Sequence, residues 1–289
     1  MSWFVNQAAK LALRCYPFAH GQGRLIDRTF LSRLRFRQQT MQVRCIGGFG
    51  MCIFPNDLIG RHLYLTGQFD KTIVDVLRGY CRPGSRVLDI GANVGYVSCA
   101  LLHAVADLRV VAVEPQPAVF ELLAQNVSAV GGARGTALNL AVSDIAGPAK
   151  MAVCRGNLGA SRLLRAADHD ALGAGWETID VRLATGPQLL ELAKLDGVDV
   201  IKIDVEGHEA GVLRSLEPVI ARFRPRALVF EHEGDLADRA NPIRQLFDAL
   251  KYDLLGVVKK LVGWSTVRVD DLAQGRWRAH DYVAVGQES

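Results

Sequence analysis

Three groups of residues in this chain combine acids, histidines and glycines in spacings that can do chemistry. The first is Val87-Leu88-Asp89-Ile90-Gly91-Ala92-Asn93-Val94-Gly95, a short apolar run that ends in an acid and breaks into a glycine turn. Glycines at 91 and 95 leave the backbone open to a ligand that a Cβ would obstruct. The Gly-x-x-x-Gly spacing differs from the G-x-G-x-x-G turn that cradles a dinucleotide pyrophosphate. An acid just ahead of the turn repels phosphate but suits a ligand carrying an ammonium group. Glu114 closes the next apolar run, Val110–Val113. An acid about 20 residues past such a turn is placed to bind two ribose hydroxyls. That feature serves NAD as well as S-adenosylmethionine, so the turn spacing decides, and it favours the methyl donor. Asp89, Gly91, Asn93, Gly95, Glu114 and the backbone near Val142 are the expected donor site.

The second group is Val200-Ile201-Lys202-Ile203-Asp204-Val205-Glu206-Gly207-His208-Glu209, and the third is Glu231-His232-Glu233 after Ala227–Phe230. Burying charge is costly, so these acids and histidines are solvated, paired or functional. Solvated loops that start helices are the plain alternative for both. If they converge beside the donor turn, Asp204, His208, Glu231 and His232 supply a general base and oxygen ligands for a metal.

These groups need strands to deliver them and helices to return the chain. Apolar runs at Arg86–Ile90, Arg109–Val113, Ala137–Val142, Val198–Ile203 and Arg226–Phe230 alternate with helical patterns at Val97–Val105, Pro117–Val130 and Glu209–Ile220. Helical spacing at Pro242–Leu250 and strands at Tyr252–Val258 and Tyr282–Val285 follow. The alternation implies an α/β fold with a doubly wound, mostly parallel sheet of seven strands. Upstream, Phe4, Ala8, Leu11 and Cys15 recur at helical spacing until Pro17, a second helical stretch spans Leu25–Arg37, and Gly47–Gly50 turns a hairpin. A boundary near Pro55 divides an N-terminal cap, residues 1–55, from the main domain, residues 56–289.

Composition sets further limits. Apolar residues make up 49% of the 289 and charged residues 22%, the usage of an ordinary globular protein. No apolar run reaches the roughly 20 residues that span a bilayer, and no cleavable leader is evident. The six cysteines show no CxxC spacing and read as isolated thiols of a reducing, cytoplasmic compartment. Residues 1–50 hold eight Lys or Arg against the single acid Asp27, a net +7, which leaves −3 for the rest (4 − 7). Such a basic arm is either a solvated helix face or a peripheral contact for an anionic membrane surface. Nucleic acid is not expected as a partner, because no aromatics interleave with these arginines to stack bases.

The motifs together resemble the FkbM family of methyltransferases, over roughly Pro55 to Val258. The resemblance is carried by Asp89–Tyr96 and Ile201–Glu209, with Gly67-Gln68-Phe69-Asp70, Ala141-Val142-Ser143-Asp144 and Asn157-Leu158-Gly159-Ala160-Ser161 in support. Asp70 stands where the family more often has Glu. The resemblance implies a Rossmann-like class I fold, S-adenosylmethionine as cofactor, and methyl transfer to a hydroxyl of a sugar, glycan or natural product. His208 is then the expected base, since an ordinary imidazole is largely neutral at pH 7, with His232 and Asp204 as alternatives. A sparser likeness to metal-dependent sugar O-methyltransferases suggests Asp204, Glu231 and His208 around Mg²⁺, whose preference is for oxygen ligands. A nicotinamide-dependent oxidoreductase and a non-catalytic donor-binding scaffold are the competing classes.

Overall fold

The computed structural model of the protein describes residues 3–14, 22–164, 173–260, 263–272 and 279–287. The chain opens with α1 (Trp3–Arg14), α2 (Gln22–Asp27), a 3-10 turn (Phe30–Arg33), the hairpin β1 (Met41–Arg44) and β2 (Gly50–Ile53), then α3 (Leu58–Thr66) and α4 (Lys71–Tyr80). Next come β3 (Arg86–Ile90), α5 (Tyr96–Ala104), β4 (Arg109–Val113), α6 (Pro117–Gly131) and β5 (Gly135–Leu138). A second sheet follows from β6 (Ala141–Val142), β7 (Gly147–Cys154), β8 (Arg162–Leu163) and β9 (Trp176–Ala184). The main sheet resumes through α7 (Gly186–Ala193), β10 (Val200–Ile203), α8 (Glu209–Phe223), β11 (Ala227–Glu231) and α9 (Pro242–Ala249). It closes with β12 (Tyr252–Lys259), β13 (Trp264–Arg268), α10 (Val269–Leu272) and β14 (Asp281–Gly286).

The main sheet runs β13-β12-β14-β11-β10-β3-β4-β5. Strands β5, β4, β3, β10 and β11 pair parallel, while β14 is antiparallel to both β11 and β12. The seven expected strands are present, and β13 adds an eighth at the edge as the hairpin partner of β12. Successive strand residues face opposite sides. Val87, Val110, Ala112, Val200 and Val229 therefore enter one core with α4, α5 and α6. Leu88, Val111, Ile201, Leu228 and Phe230 enter the other with α8 and α9. Covered on both faces, these strands are continuous apolar runs.

Several local expectations change. The third strand divides: the Asn139 side-chain amide donates to the carbonyls of Glu114 and Pro115, so the ladder ends at Leu138 and the chain leaves for the second sheet. The helical stretch at 25–37 also breaks. Thr29 donates its hydroxyl to the Leu25 carbonyl and accepts from the Leu31 amide, restarting the chain as a 3-10 turn. In α1 it is Leu13 that is buried, whereas Leu11 is 68% exposed. Cys15 and Pro17 of that pattern lie outside the described residues. Packing crosses residue 55 in both directions. The hairpin sends Met51, Cys52 and Ile53 into the main core, and Leu65 of α3 joins the small cap core of Leu13, Ile26, Leu31 and Leu34.

Candidate active site

Strand register assembles the site. Ile90 pairs with Val113 on one side and with Ile203 on the other, and Ile203 pairs with Phe230. Gly91, Glu114, Asp204 and Glu231 therefore lie at one level along the carboxyl edge of the sheet, where open α/β sheets bind ligands. A cavity of about 460 Å³ opens over that edge. Its size is ordinary for a small-molecule site.

One end of the cavity is lined by Gly91, Asn93, Glu114, Gln116, Val142 and Leu158. The Glu114 carboxylate accepts the backbone amides of Asn93 at 3.1 Å and Gln116 at 3.0 Å. Both oxygens are thus oriented while keeping lone pairs for a ligand's hydroxyls. Burial pushes this carboxyl up to about 7, against the pull of those amides. The Gln116 side chain donates to the Leu158 carbonyl, and Asp57, capping α3, accepts the Leu158 amide at 2.7 Å. The Asn157–Ser161 segment is thereby pinned as a wall. A buried acid set among backbone amides, beside a turn without an obstructing side chain, fits the ribose of S-adenosylmethionine.

Beneath the turn lies a buried ion network. Asp89 is fully buried and does not line the cavity, although it was expected at the donor. Its carboxylate accepts from the Ser98 hydroxyl at 2.6 Å and sits 3.2 Å from Lys202 Nζ. Lys202 Nζ also donates to the Gly91 carbonyl at 2.8 Å and lies 3.5 Å from Asp204. Burial alone would lower the lysine's pKa, but Asp89 and Asp204 outweigh it and hold the ammonium above its usual range. Lys202 is the supporting residue that the sequence reading missed. Its signal was a lone charge inside the apolar run Val200–Ile203. Gly95 also stays out of the cavity. It starts α5 at φ +86°, and a Cβ there would meet Leu123 at 2.6 Å, so its glycine serves helix packing.

The other end of the cavity gathers Asp70, Asp204, Glu206, His208, Glu231, Lys259, His280 and Asp281. His208 precedes α8, and its Nε2 is 3.0 Å from the Ser143 hydroxyl, which in turn donates to Asp144. Burial and the nearby Asp204 push Glu206 and Glu231 up to about 7 each. Burial does the same to Asp70, against the pull of Lys259. Lys259 lies 2.8 Å from Asp281 and 3.9 Å from Asp70, tying β12, β14 and α4 together. His232 is elsewhere: it is not a lining residue, and its Nε2 faces the Asn241 side-chain amide at 3.3 Å. Nor do Asp204, Glu231 and His208 form the expected Mg²⁺ set. Among the described residues no three His, Cys, Asp or Glu side chains are placed to hold a metal ion.

Lys259, His280 and Asp281 were also missed. β14 runs antiparallel, so its first residue, Asp281, lies opposite Glu231 at the carboxyl edge of its neighbours. A strand's beginning can thus supply a site that strand ends usually build.

Residues 89–254, more than half of the chain, match the family described as Methyltransferase FkbM domain. No curated relative matches significantly. Among solved structures, an O-methyltransferase from Bacillus cereus in complex with SAH is similar at 16% identity and TM-score 0.41, covering 74% of this chain and 79% of that one. Magnesium protoporphyrin IX methyltransferase from Synechocystis PCC 6803 with bound SAM gives 16% identity and TM-score 0.40, covering 78% and 89%. Precorrin-6y C5,15-methyltransferase from Geobacter metallireducens GS-15 gives 11% and 0.42, covering 74% and 88%. Likenesses this remote carry nothing about substrate, and the assignment rests on the family match. The chain belongs to the FkbM family of methyltransferases.

Proposed function

We propose that the protein transfers the methyl group of S-adenosylmethionine to a hydroxyl oxygen of a polar acceptor, a sugar, glycan or natural product. The observation that carries this reading is that one cavity is lined both by Glu114, Asn93 and Val142 and by Asp204, His208 and Glu231. The bound donor supplies an electrophilic sulfonium methyl. The protein's part is to hold an oxygen nucleophile in line with it at about 3 Å, which removes much of the entropic barrier.

An alcohol loses its proton as it attacks. His208 receives that proton, and the Ser143–Asp144 pair holds the ring in orientation. Asp204, kept beside Lys202, orients the hydroxyl. The carboxyl groups at the acceptor end suit a ligand with several hydroxyls to donate, as carbohydrates have. Glu114 and Gly91 serve the donor through the ribose and the close backbone. Asp89 serves it indirectly, through Lys202.

Labelled donor incubated with a panel of sugar and glycan acceptors tests the reading. A base-stable methyl ether is the expected product. Label recovered on carbon or nitrogen overturns the oxygen assignment, and donor binding without transfer to any hydroxyl in the panel supports a scaffold instead. No observation at the site favours a nicotinamide reaction, and the family match sets that class aside.

A further inference from the structure

The cap presents a surface that the methyl-transfer site does not use. Helices α1 and α2 and the 3-10 turn pack on α3 through Leu13, Ile26, Leu31 and Leu34, with Leu65 completing their small core. Gln22 holds α2 to α1 through the Leu13 carbonyl, and Asp27 holds α2 to α3 through His62 at 2.9 Å. Immediately beside these buried residues, Leu11, Leu25 and Phe30 are 68%, 40% and 56% exposed. These side chains stay outside the cap core and, among the described residues, are left exposed. Arg14 and Arg33 within these elements, and Arg28, Arg35 and Arg37 just after them, are exposed as well. The one acid of residues 1–50, Asp27, is already engaged by His62.

Exposed leucine and phenylalanine set among arginines is the composition of a surface that lies in a lipid headgroup layer, apolar tips inserted and guanidinium groups on phosphates. Charge complementarity selects the partner: residues 1–50 carry +7 while the remainder carries −3. A nucleic acid would use the arginines but has no place for the apolar tips. The cap is also joined to the cavity. Leu58 and Ile59, at the start of α3, line it, and Asp57 of the same turn anchors its Leu158 wall.

We propose that the outer side of the cap docks on an anionic lipid bilayer, seating the cavity beside that surface. The docking is independent of what the acceptor is. It is tested with the full chain, by co-sedimentation with phosphatidylcholine vesicles containing about one-third phosphatidylglycerol, against pure phosphatidylcholine, at low and high salt. Phe30→Asp and the pair Arg28→Glu with Arg33→Glu are the variants, since all three side chains are exposed. Wild-type protein is expected on the anionic vesicles at low salt and to leave them at high salt. Each variant should bind at least about tenfold more weakly, as expected when a few charges or an inserted ring are lost. Donor affinity of the same preparations should stay at the wild-type value, because none of these residues lines the cavity. Absence from anionic vesicles at low salt overturns the proposal. So does vesicle binding that both variants retain, or binding to duplex RNA that Phe30→Asp leaves untouched while vesicles are ignored.

Discussion

At the scale of single residues, four positions separate roles that neighbouring acids and histidines could confuse. Glu114 lines the cavity and is the residue proposed to meet the donor, so Glu114→Ala should weaken donor binding by about 1–3 kcal/mol, the usual effect of leaving polar partners unsatisfied. Lys202 acts from beneath. Replacing it with Met leaves the fully buried Asp89 without its cation, which should destabilise the fold by about 3–5 kcal/mol in urea titrations. A loss of activity in Lys202→Met with unchanged stability would contradict the supporting role. His208 and His232 differ by placement alone. His208→Ala is expected to lower turnover about 10²–10⁴-fold with little change in donor affinity. His232→Ala should keep near-normal turnover, because that ring turns toward Asn241. The reverse pattern would move the base to the loop after β11.

At the scale of elements, the tightest joint is where β3 turns into α5 against the end of β10. Gly91 has φ +75°, and a Cβ there would sit 1.7 Å from the Asp204 carbonyl oxygen. Gly91→Ala should therefore cost about 2 kcal/mol or more of stability and disturb both ends of the cavity together. Gly79, inside α4 with open space around it, provides the contrast. Gly79→Ala should gain about 0.4–1 kcal/mol by restricting the unfolded chain, and equal effects at the two glycines would contradict this account of the turn. The same joint shows why parts of the fold were legible in sequence. Val87–Gly95 and Val200–Glu209 are apolar runs that end abruptly in charge, and the parallel pairing of such runs brings their ends to one edge. Asp281 and Lys259 gave no such signal, because their position depends on β14 running antiparallel, a fact of topology and not of local pattern. Asp89 looked like a ligand residue by its place at a strand end, yet the partner that claims it, Lys202, lies more than a hundred residues away. The β7–β9 pair was not anticipated, although Ile179, Val181 and Leu183 alternate with Asp180 and Arg182. It was obscured by the surrounding polar residues.

At the scale of the whole molecule, the cavity ties stability to pH. Glu114 has its carboxyl raised from 4.5 to about 7 by burial. Between those values the folded protein keeps a proton that the unfolded chain releases, so stability falls as pH rises through the window. The contribution is complete below about pH 4.5, is lost above about pH 7, and is on the order of 3 kcal/mol. Glu206, Glu231 and Asp70, raised for related reasons, act in the same direction. Urea unfolding of the unliganded protein at pH 5 and pH 7.5 should therefore show lower stability at the higher pH. Glu114→Gln should flatten that difference by its own share, whatever its constant offset from a lost amide contact. An identical slope in variant and wild type would remove Glu114 from this linkage.

The central claim is that one cavity holds the methyl donor at Glu114 and carries out transfer at His208. Calorimetric titration of S-adenosylmethionine into wild type, Glu114→Ala and His208→Ala tests it in one experiment. Wild type should bind, Glu114→Ala should bind about 5- to 150-fold more weakly, and His208→Ala should retain the wild-type affinity. Wild-type affinity in Glu114→Ala, or no binding by the wild type, would contradict the account.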